Sequence, residues 1–131
     1  MPARRVCVLL GLVLLAFSNS GCRTANESKL TGTYRAETSC VKITLVVNSD
    51  HSFVQSARTA TGETNQLTGR WTVDKGDKMI TFEPFLDFQN NAHGRQLGFA
   101  NFSPEGIGPM VHLGPVIVKC YDSEYEVDYN K

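Results

Sequence analysis

Residues 41–58 read VKITLVVNSDHSFVQSAR and carry the clearest β pattern in the chain. Alternate positions in the first half are apolar, and this period of two places them on one face of a strand. The polar cluster at residues 48–52 is typical of a turn, and Phe53 begins the next β-like run. The stretch therefore predicts a β-hairpin built from residues 41–48 and 52–58. Its apolar face consists of Val41, Ile43, Leu45 and Val47.

A second hairpin is predicted at residues 67–85. Leu67, Gly69, Trp71 and Val73 fall on one face of the first arm, and residues 74–78, DKGDK, are typical of a turn. A Thr- and Gly-rich loop at residues 60–65 separates the two hairpins. After residue 22 no window shows an apolar stripe with a period of 3.6 residues, so we expect little helix.

The C-terminal third has weaker β signals. Residues 89–94 and 105–109 are typical of loops, and residues 96–102 fit a strand or an ordered loop. The β-rich residues 111–121 are interrupted at Gly114-Pro115, which suits an edge, a bulge or a bend. Residues 125–129 alternate again. The sequence thus predicts an all-β domain of seven to eight short antiparallel strands, forming a small meander barrel or a strongly twisted sandwich.

The first 21 residues are typical of a secretory signal peptide. Arg4 and Arg5 precede twelve residues, 6–17, that carry no charge. As a helix this run is about 18 Å long, whereas a hydrocarbon core is about 30 Å thick. The alternative is a buried N-terminal helix, although the run is apolar on every face and lacks an amphipathic stripe.

Ser20-Gly21-Cys22 follows the apolar run and resembles the lipobox of bacterial lipoproteins. In that family the cysteine thiol receives a diacylglycerol, the chain is cleaved before it, and the new amine is acylated, often with palmitate. The resemblance implies a lipid on Cys22 and a membrane as partner. Arg23 stands where an Asp would retain such a protein in the inner membrane of enteric bacteria, so the periplasmic face of the outer membrane is expected. Asn19 departs from the usual aliphatic residue, and ordinary cleavage after Ser18 is the alternative.

These boundaries predict a signal peptide at residues 1–21, a lipidated tether at 22–29 and a β-barrel-like domain at 30–131. Without the first 21 residues 110 remain, enough for one domain. Two of the 13 basic residues leave with the signal, so 11 basic and 13 acidic side chains remain. This balance gives no electrostatic argument for nucleic acid as a partner.

Cysteine positions predict one disulfide. Of the four cysteines, Cys7 lies within the signal and Cys22 would be acylated. Cys40 and Cys120 remain as an even pair in an oxidising compartment, which favours a bond between them.

Short motifs in the first half of the domain resemble those of small bacterial lipoproteins with lipocalin-like, calycin-type barrels, a group largely without assigned activities. The motifs are Gly-x-Tyr at 32–34, Asn-Ser-Asp-His-Ser-Phe at 48–53, Gly-x-Trp at 69–71 and Ile-x-Phe at 80–82. His51 takes the place of a usual glycine, which is tolerable because His is enriched at positive φ. The resemblance implies a fold, and its motifs indicate no catalytic or binding residues.

The sequence offers few candidates for catalytic or metal-ligating residues. His51, His93 and His112 lack metal-ligand spacing, and a disulfide would remove the Cys120 thiol from any Cys–His pair with His112. The acids at 122–128 alternate with Tyr125, Val127 and Tyr129, which favours a solvated strand face over a cation site. We therefore predict no catalytic, metal or cofactor-binding residues. The aromatic residues are expected to be mostly core: Trp71, Phe82, Phe85, Phe88, Phe99 and Phe102.

The expected function is that of a membrane-anchored, non-enzymatic binding or interaction module of the cell envelope. Its partner would be an envelope protein. The alternatives are a lipocalin-type carrier of a small apolar ligand and a secreted soluble β-domain. An internal apolar cavity of about 300 Å³ or more would favour the carrier, whereas a side-chain-filled interior would favour the interaction module.

Overall fold

The computed structural model describes residues 27–74, 76, 78–89, 92–105, 111–120 and 123–131. These residues form one short helix, α1 (Glu27–Leu30), and eleven strands. The strands are β1 (Gly32–Glu37), β2 (Val41–Val47), β3 (Ser52–Thr59), β4 (Thr64–Asp74), β5 (Met79–Glu83), β6 (Phe85–Asp87), β7 (Arg95–Leu97), β8 (Ala100–Phe102), β9 (Pro104–Glu105), β10 (His112–Cys120) and β11 (Ser123–Asn130).

Nine strands form one antiparallel sheet in the order β8-β5-β4-β3-β2-β1-β11-β10-β9, and β6 pairs with β7. The two edge strands, β8 and β9, are separated in the chain by Ser103 alone. Residues 100–105 thus pair with β5 on one side, Phe102 opposite Ile80, and with β10 on the other, Glu105 opposite His112. The sheet curls into a nearly closed barrel, which removes most free edges. The all-β, antiparallel barrel prediction is confirmed.

The predicted number of strands was too small. The excess comes from the β6–β7 hairpin, inserted between β5 and β8, and from the division of residues 100–105 into β8 and β9. Both hairpins of the first half are confirmed as β2–β3 and β4–β5. Gly114-Pro115 is a bulge, since the register between β10 and β11 shifts between Leu113 and Val116.

The barrel has two distinct ends because neighbouring strands alternate in direction. One end carries the β1–β2 turn (38–40), the β3–β4 turn (60–63) and the last residue of β10, Cys120. We call it the disulfide end. The other end carries α1, the β2–β3 turn (48–51) and the last residue, and we call it the tether end. The seven residues of β2, six rises from first to last, separate the two by about 20 Å.

The disulfide between Cys40 and Cys120 is present, with 5.8 Å between the two Cα atoms. It lies beside the seam between β1 and β11, whose ladder consists of a single pair, Arg35 opposite Asn130. The Ser39 hydroxyl donates to the Tyr125 hydroxyl across the same seam at 3.1 Å. The covalent bond therefore joins the first hairpin to the C-terminal hairpin where backbone pairing between them is sparse.

The Gly-x-Trp motif at residues 69–71 allows close packing and holds a neighbouring turn. A Cβ on Gly69 would collide with the carbonyl oxygen of Glu83 and the ring of Phe53, so only glycine fits. Two residues on, the Trp71 indole nitrogen donates to the carbonyl of Asn48 at 2.8 Å and holds the β2–β3 turn. His51 lies in that turn at φ +66°, which confirms the expectation for a residue in the glycine position of the motif.

The Gly-x-Tyr motif fastens α1 to the barrel. The buried Tyr34 hydroxyl donates to the Leu30 carbonyl at 2.7 Å, and the Lys131 amino group donates to the Lys29 carbonyl at 2.8 Å. Leu30 is itself buried. The last residues of the predicted tether, 27–29, are thus in contact with the barrel, whereas residues 22–26 lie outside the described residues.

Tyr34 should make the fold sensitive to alkali. Burial raises its pKa to about 12 from an ordinary value near 10. A raised folded-state pKa stabilises the fold below the unfolded pKa, and that contribution is lost as the pH rises from about 10 through 12. The urea midpoint should fall across this window. The fall should be smaller in Tyr34→Phe, and an unchanged fall in that variant would exclude the assignment.

Candidate functional site

Large side chains fill the barrel interior. They come from every long strand and include aromatic residues from opposite walls, so the core is a packed interior of the kind that small barrels form. The largest of them, each less than 2 % exposed, are Trp71, Tyr34, Tyr129, Phe53, Phe82, Phe88, Ile43, Leu45, Ile80, Leu113, Gln55 and Val41.

Gln55 is the one polar residue in this buried set besides the tyrosines. Its amide nitrogen donates to the carbonyl of Leu86 at 3.0 Å and to the hydroxyl of Tyr129 at 2.9 Å. Its amide oxygen accepts from the Leu86 backbone nitrogen at 2.8 Å. Burial raises the pKa of Tyr129 and keeps its hydroxyl protonated. Gln55 thereby satisfies both backbone groups of Leu86 inside the barrel.

Residues 85–88 cross the interior from the neighbourhood of Phe82 to β10, which Phe88 meets near the disulfide end. The Phe85 ring packs on Phe102 at 5.3 Å and on Tyr129 at 6.3 Å between centroids. The carbonyl of Phe88 accepts from the backbone nitrogen of Lys119 on β10 at 3.1 Å. We call residues 85–88 the plug. The plug occupies space in which a carrier would hold its ligand.

Of the predicted site residues, Cys22 lies outside the described residues, whereas Cys40 and Cys120 are joined. His112 and Cys120 lie at opposite ends of β10, about 26 Å apart at the rise of a strand, so they form no catalytic pair. Most of the predicted core aromatics are buried. Phe102 is partly buried against the core, and Phe99 is 61 % exposed.

Each histidine contacts a different glutamate. The nitrogen-to-oxygen distances are 3.1 Å from His51 to Glu27, 3.0 Å from His93 to Glu63 and 3.3 Å from His112 to Glu105. These pairs join separate elements. Within the described ranges no group of three His, Cys, Asp or Glu side chains is arranged to hold a metal ion.

The acidic run lies on the outer face of β11. Glu124 and Glu126 are exposed and stand opposite Lys119 and Ile117 of β10. Tyr129, on the opposite parity, is buried. This arrangement is the solvated strand face that alternation predicted, although Asp122 lies outside the described residues.

A groove of about 450 Å³ opens at the disulfide end, between the β1–β2 turn and the β3–β4 turn. We call it the disulfide groove. The backbone nitrogen of Ala60 donates to the carbonyl of Cys40 at 2.9 Å and ties the two turns together. The groove is lined by Glu37, Thr38, Ser39, Cys40, Val41, Lys42, Arg58, Thr59 and Ala60.

A second groove of about 290 Å³ continues from the first and shares Thr59 with it. Its far wall belongs to the β6–β7 hairpin, where the Asn65 amide donates to the His93 carbonyl at 3.0 Å. The two grooves together form a polar surface across one end of the barrel. The second is lined by Ala57, Thr59, Glu63, Thr64, Asn65, Ala92 and His93.

Three charged side chains form a row in the disulfide groove. In the sheet register Glu37 stands opposite Lys42, and Lys42 opposite Arg58. The Lys42 amino group lies 2.7 Å from a Glu37 carboxylate oxygen, and both side chains are largely exposed. With hydroxyls of Ser39 and Thr59 beside them, these groups suit recognition of a polar ligand by charge-assisted hydrogen bonds.

Comparison of the chain with protein-family models, curated proteins and solved structures found no match. Among the described residues no helix is long and apolar enough to span a membrane.

Sequence reasoning missed the disulfide groove because a concavity between two turns has no motif of its own in the sequence. One signal was available. If the first hairpin is paired from its turn, Lys42 and Arg58 fall opposite each other, and like charges so placed are unfavourable.

Proposed function

We propose that this chain is a membrane-anchored envelope lipoprotein whose barrel acts as a non-enzymatic binding module, with the disulfide groove as its binding surface. The observation that carries the proposal is the filled interior. Because side chains and the plug occupy the barrel, we expect binding on the outside, where the disulfide groove is a polar concavity between two tied turns.

The direction of the chain favours an anchored module. Residue 27 lies at the tether end, so a lipid on Cys22 would hold that end nearest the membrane. The disulfide groove, about one strand length away, would then point into the envelope space. Two or more acyl chains on the N-terminal cysteine make such anchoring stable, whereas one chain binds reversibly.

A carrier of an apolar ligand is less well supported. Carrier barrels keep an internal space lined by apolar side chains. Here Gln55 and the plug meet in the interior, where Phe85 and Phe88 are buried. A ligand of useful size would have to displace the plug and leave the polar groups of Leu86 unsatisfied.

Replacing Cys22 with serine should move the protein from the membrane to the aqueous phase. The acylated wild type should partition into the detergent phase of a cloud-point extraction, because each buried CH₂ contributes about 0.8 kcal/mol. Cys7→Ser is the matched control and should partition like the wild type. A wild-type protein found wholly in the aqueous phase would instead favour the secreted form cleaved after Ser18.

Site-specific photo-crosslinking in living cells tests the binding surface. A benzophenone side chain at Ala60, exposed in the disulfide groove, should give a discrete adduct. The same probe at Thr72, exposed on the outer face of β4, is the matched control and should give none. Equal adducts from both positions, or an adduct from Thr72 alone, would contradict the placement of the binding surface.

A further inference from the structure

We propose that the disulfide groove binds a phosphate ester, with the Arg58 guanidinium as the principal contact and the Lys42 amino group as its neighbour. This inference rests on the proposed function, because it names the ligand class of the same surface. It adds a chemical identity to a groove that the proposal above defines only as a binding surface.

The first argument is the juxtaposition of two cations. Lys42 of β2 and Arg58 of β3 are direct cross-strand neighbours, and both are exposed. Directly opposed residues have Cβ atoms about 5 Å apart, and like charges at that distance destabilise a sheet. An anion between the two side chains turns the repulsion into attraction.

The second argument is that Arg58 is uncompensated. Glu37 neutralises Lys42 at 2.7 Å, but the other cross-strand neighbour of Arg58 is Thr64, which is neutral. In the part of the chain that the structure describes, Arg58 has no carboxylate in ion-pair contact. Its guanidinium carries five N–H donors in a fixed fork that matches two oxygens of a phosphate.

The third argument is the character of the groove around Arg58. Thr38 is held by bonds with Val41, since its backbone nitrogen donates to the Val41 carbonyl at 2.9 Å. With the disulfide and the Ala60–Cys40 bond, this fixes the wall before a ligand arrives, which lowers the entropic cost of binding. The Thr59 hydroxyl shares a hydrogen bond of 2.9 Å with that of Thr61 at the rim.

The volume of the groove and the charges of its side chains favour a phosphate ester as the ligand. A groove of about 450 Å³ lies within the ordinary range for small-molecule sites and accommodates a hexose phosphate. A phosphate monoester carries about −1.5 to −2 charges at pH 7, so beyond Arg58 it can also attract the Lys42 amino group, in competition with the exposed Glu37 carboxylate. A monocarboxylate carries a single negative charge, so it could pair with Arg58 but not also with Lys42.

Calorimetric titration of the full protein, purified from its bacterial host, tests the proposal. The probes are glycerol 3-phosphate, glucose 6-phosphate and glucose, at low ionic strength. We expect saturable binding of both esters, at least tenfold weaker binding to Arg58→Ala, and intermediate binding to Arg58→Lys, which keeps the charge and loses the fork. Arg70→Ala, an exposed arginine at the tether end of β4, is the control and should bind like the wild type.

Two results of the titration would overturn the proposal: ester binding that Arg58→Ala leaves unchanged, or glucose binding as tightly as its phosphate. Vesicles of phosphatidylglycerol distinguish a lipid headgroup from a free ester. Binding of the free esters that depends on Arg58 supports the proposal, whereas Arg58-dependent binding to the vesicles alone would overturn it, because their headgroup is a singly charged diester. If Arg58→Ala binds esters like the wild type and still yields the Ala60 adduct, the groove does not bind esters through Arg58, and the binding surface stands. If Ala60 gives no adduct in the wild type and no ester binds, the proposed function fails.

Discussion

Breaking the disulfide should lower the free energy of unfolding by about 2–5 kcal/mol. The bond closes a loop with a sequence separation of 80, for which the chain-entropy model gives about 4.5 kcal/mol. It also supports a seam at which β1 and β11 share one ladder pair. For a domain of this size the melting temperature should fall by on the order of 10–20 °C.

The single variants Cys40→Ala and Cys120→Ala should cost about as much as the double variant, because either change breaks the same bond. Thermal melts with and without reductant measure the effect. The double variant serves as its own control, since reductant should leave it unchanged. Two reactive thiols in the folded, unreduced protein would show that the bond does not form.

Gln55→Leu should be nearly as damaging as loss of the disulfide. The substitution keeps a similar volume but leaves the Leu86 backbone nitrogen and carbonyl and the Tyr129 hydroxyl without their partner. Each buried group left unsatisfied costs about 1–3 kcal/mol, so we expect the three together to cost at least about 3 kcal/mol. The plug should loosen first, and the Leu86 amide should exchange with solvent faster than in the wild type.

Gln66→Leu is the matched control, because Gln66 is an exposed glutamine on the adjacent strand β4. It should change stability by less than about 0.5 kcal/mol. Tyr129→Phe removes one of the three bonds and should cost about 1 kcal/mol. Urea unfolding and hydrogen exchange measure these effects. A Leu86 amide as protected in Gln55→Leu as in the wild type would contradict the plug's dependence on Gln55.

The two hairpins of the first half were predictable because their contacts are local. Alternation in residues 41–47 and the turn at 48–52 are sufficient to pair β2 with β3 without knowledge of the rest of the chain. The disulfide was predictable for another reason. If the chain is exported and Cys22 acylated, as we predict, cysteine parity leaves one pair, and no knowledge of the fold is required.

The closure of the barrel was not predictable from local pattern. Residues 100–105 pair with β5 and with β10, and each half is too short to show an alternating signal of its own. The plug was missed for the same reason, because β6 has three residues and its partner groups lie on β3 and β10.

The position of Gln55 in the sequence did indicate part of this arrangement. It stands between Phe53 and Ala57 on the face of β3 that alternation predicts to be buried, and a buried amide requires partners. The sequence could therefore indicate a buried polar site on β3. It could not indicate that the partner is the backbone of Leu86, which is 31 residues away.

Intact-mass spectrometry of the mature protein from its native host tests the account most directly. We predict a chain that begins at Cys22, carries the added mass of a diacylglycerol and an N-linked acyl chain, and lacks the two hydrogens lost on joining Cys40 to Cys120. A chain that begins after Ser18 without lipid, or one that retains the first 21 residues, would contradict a membrane-anchored module held at its tether end.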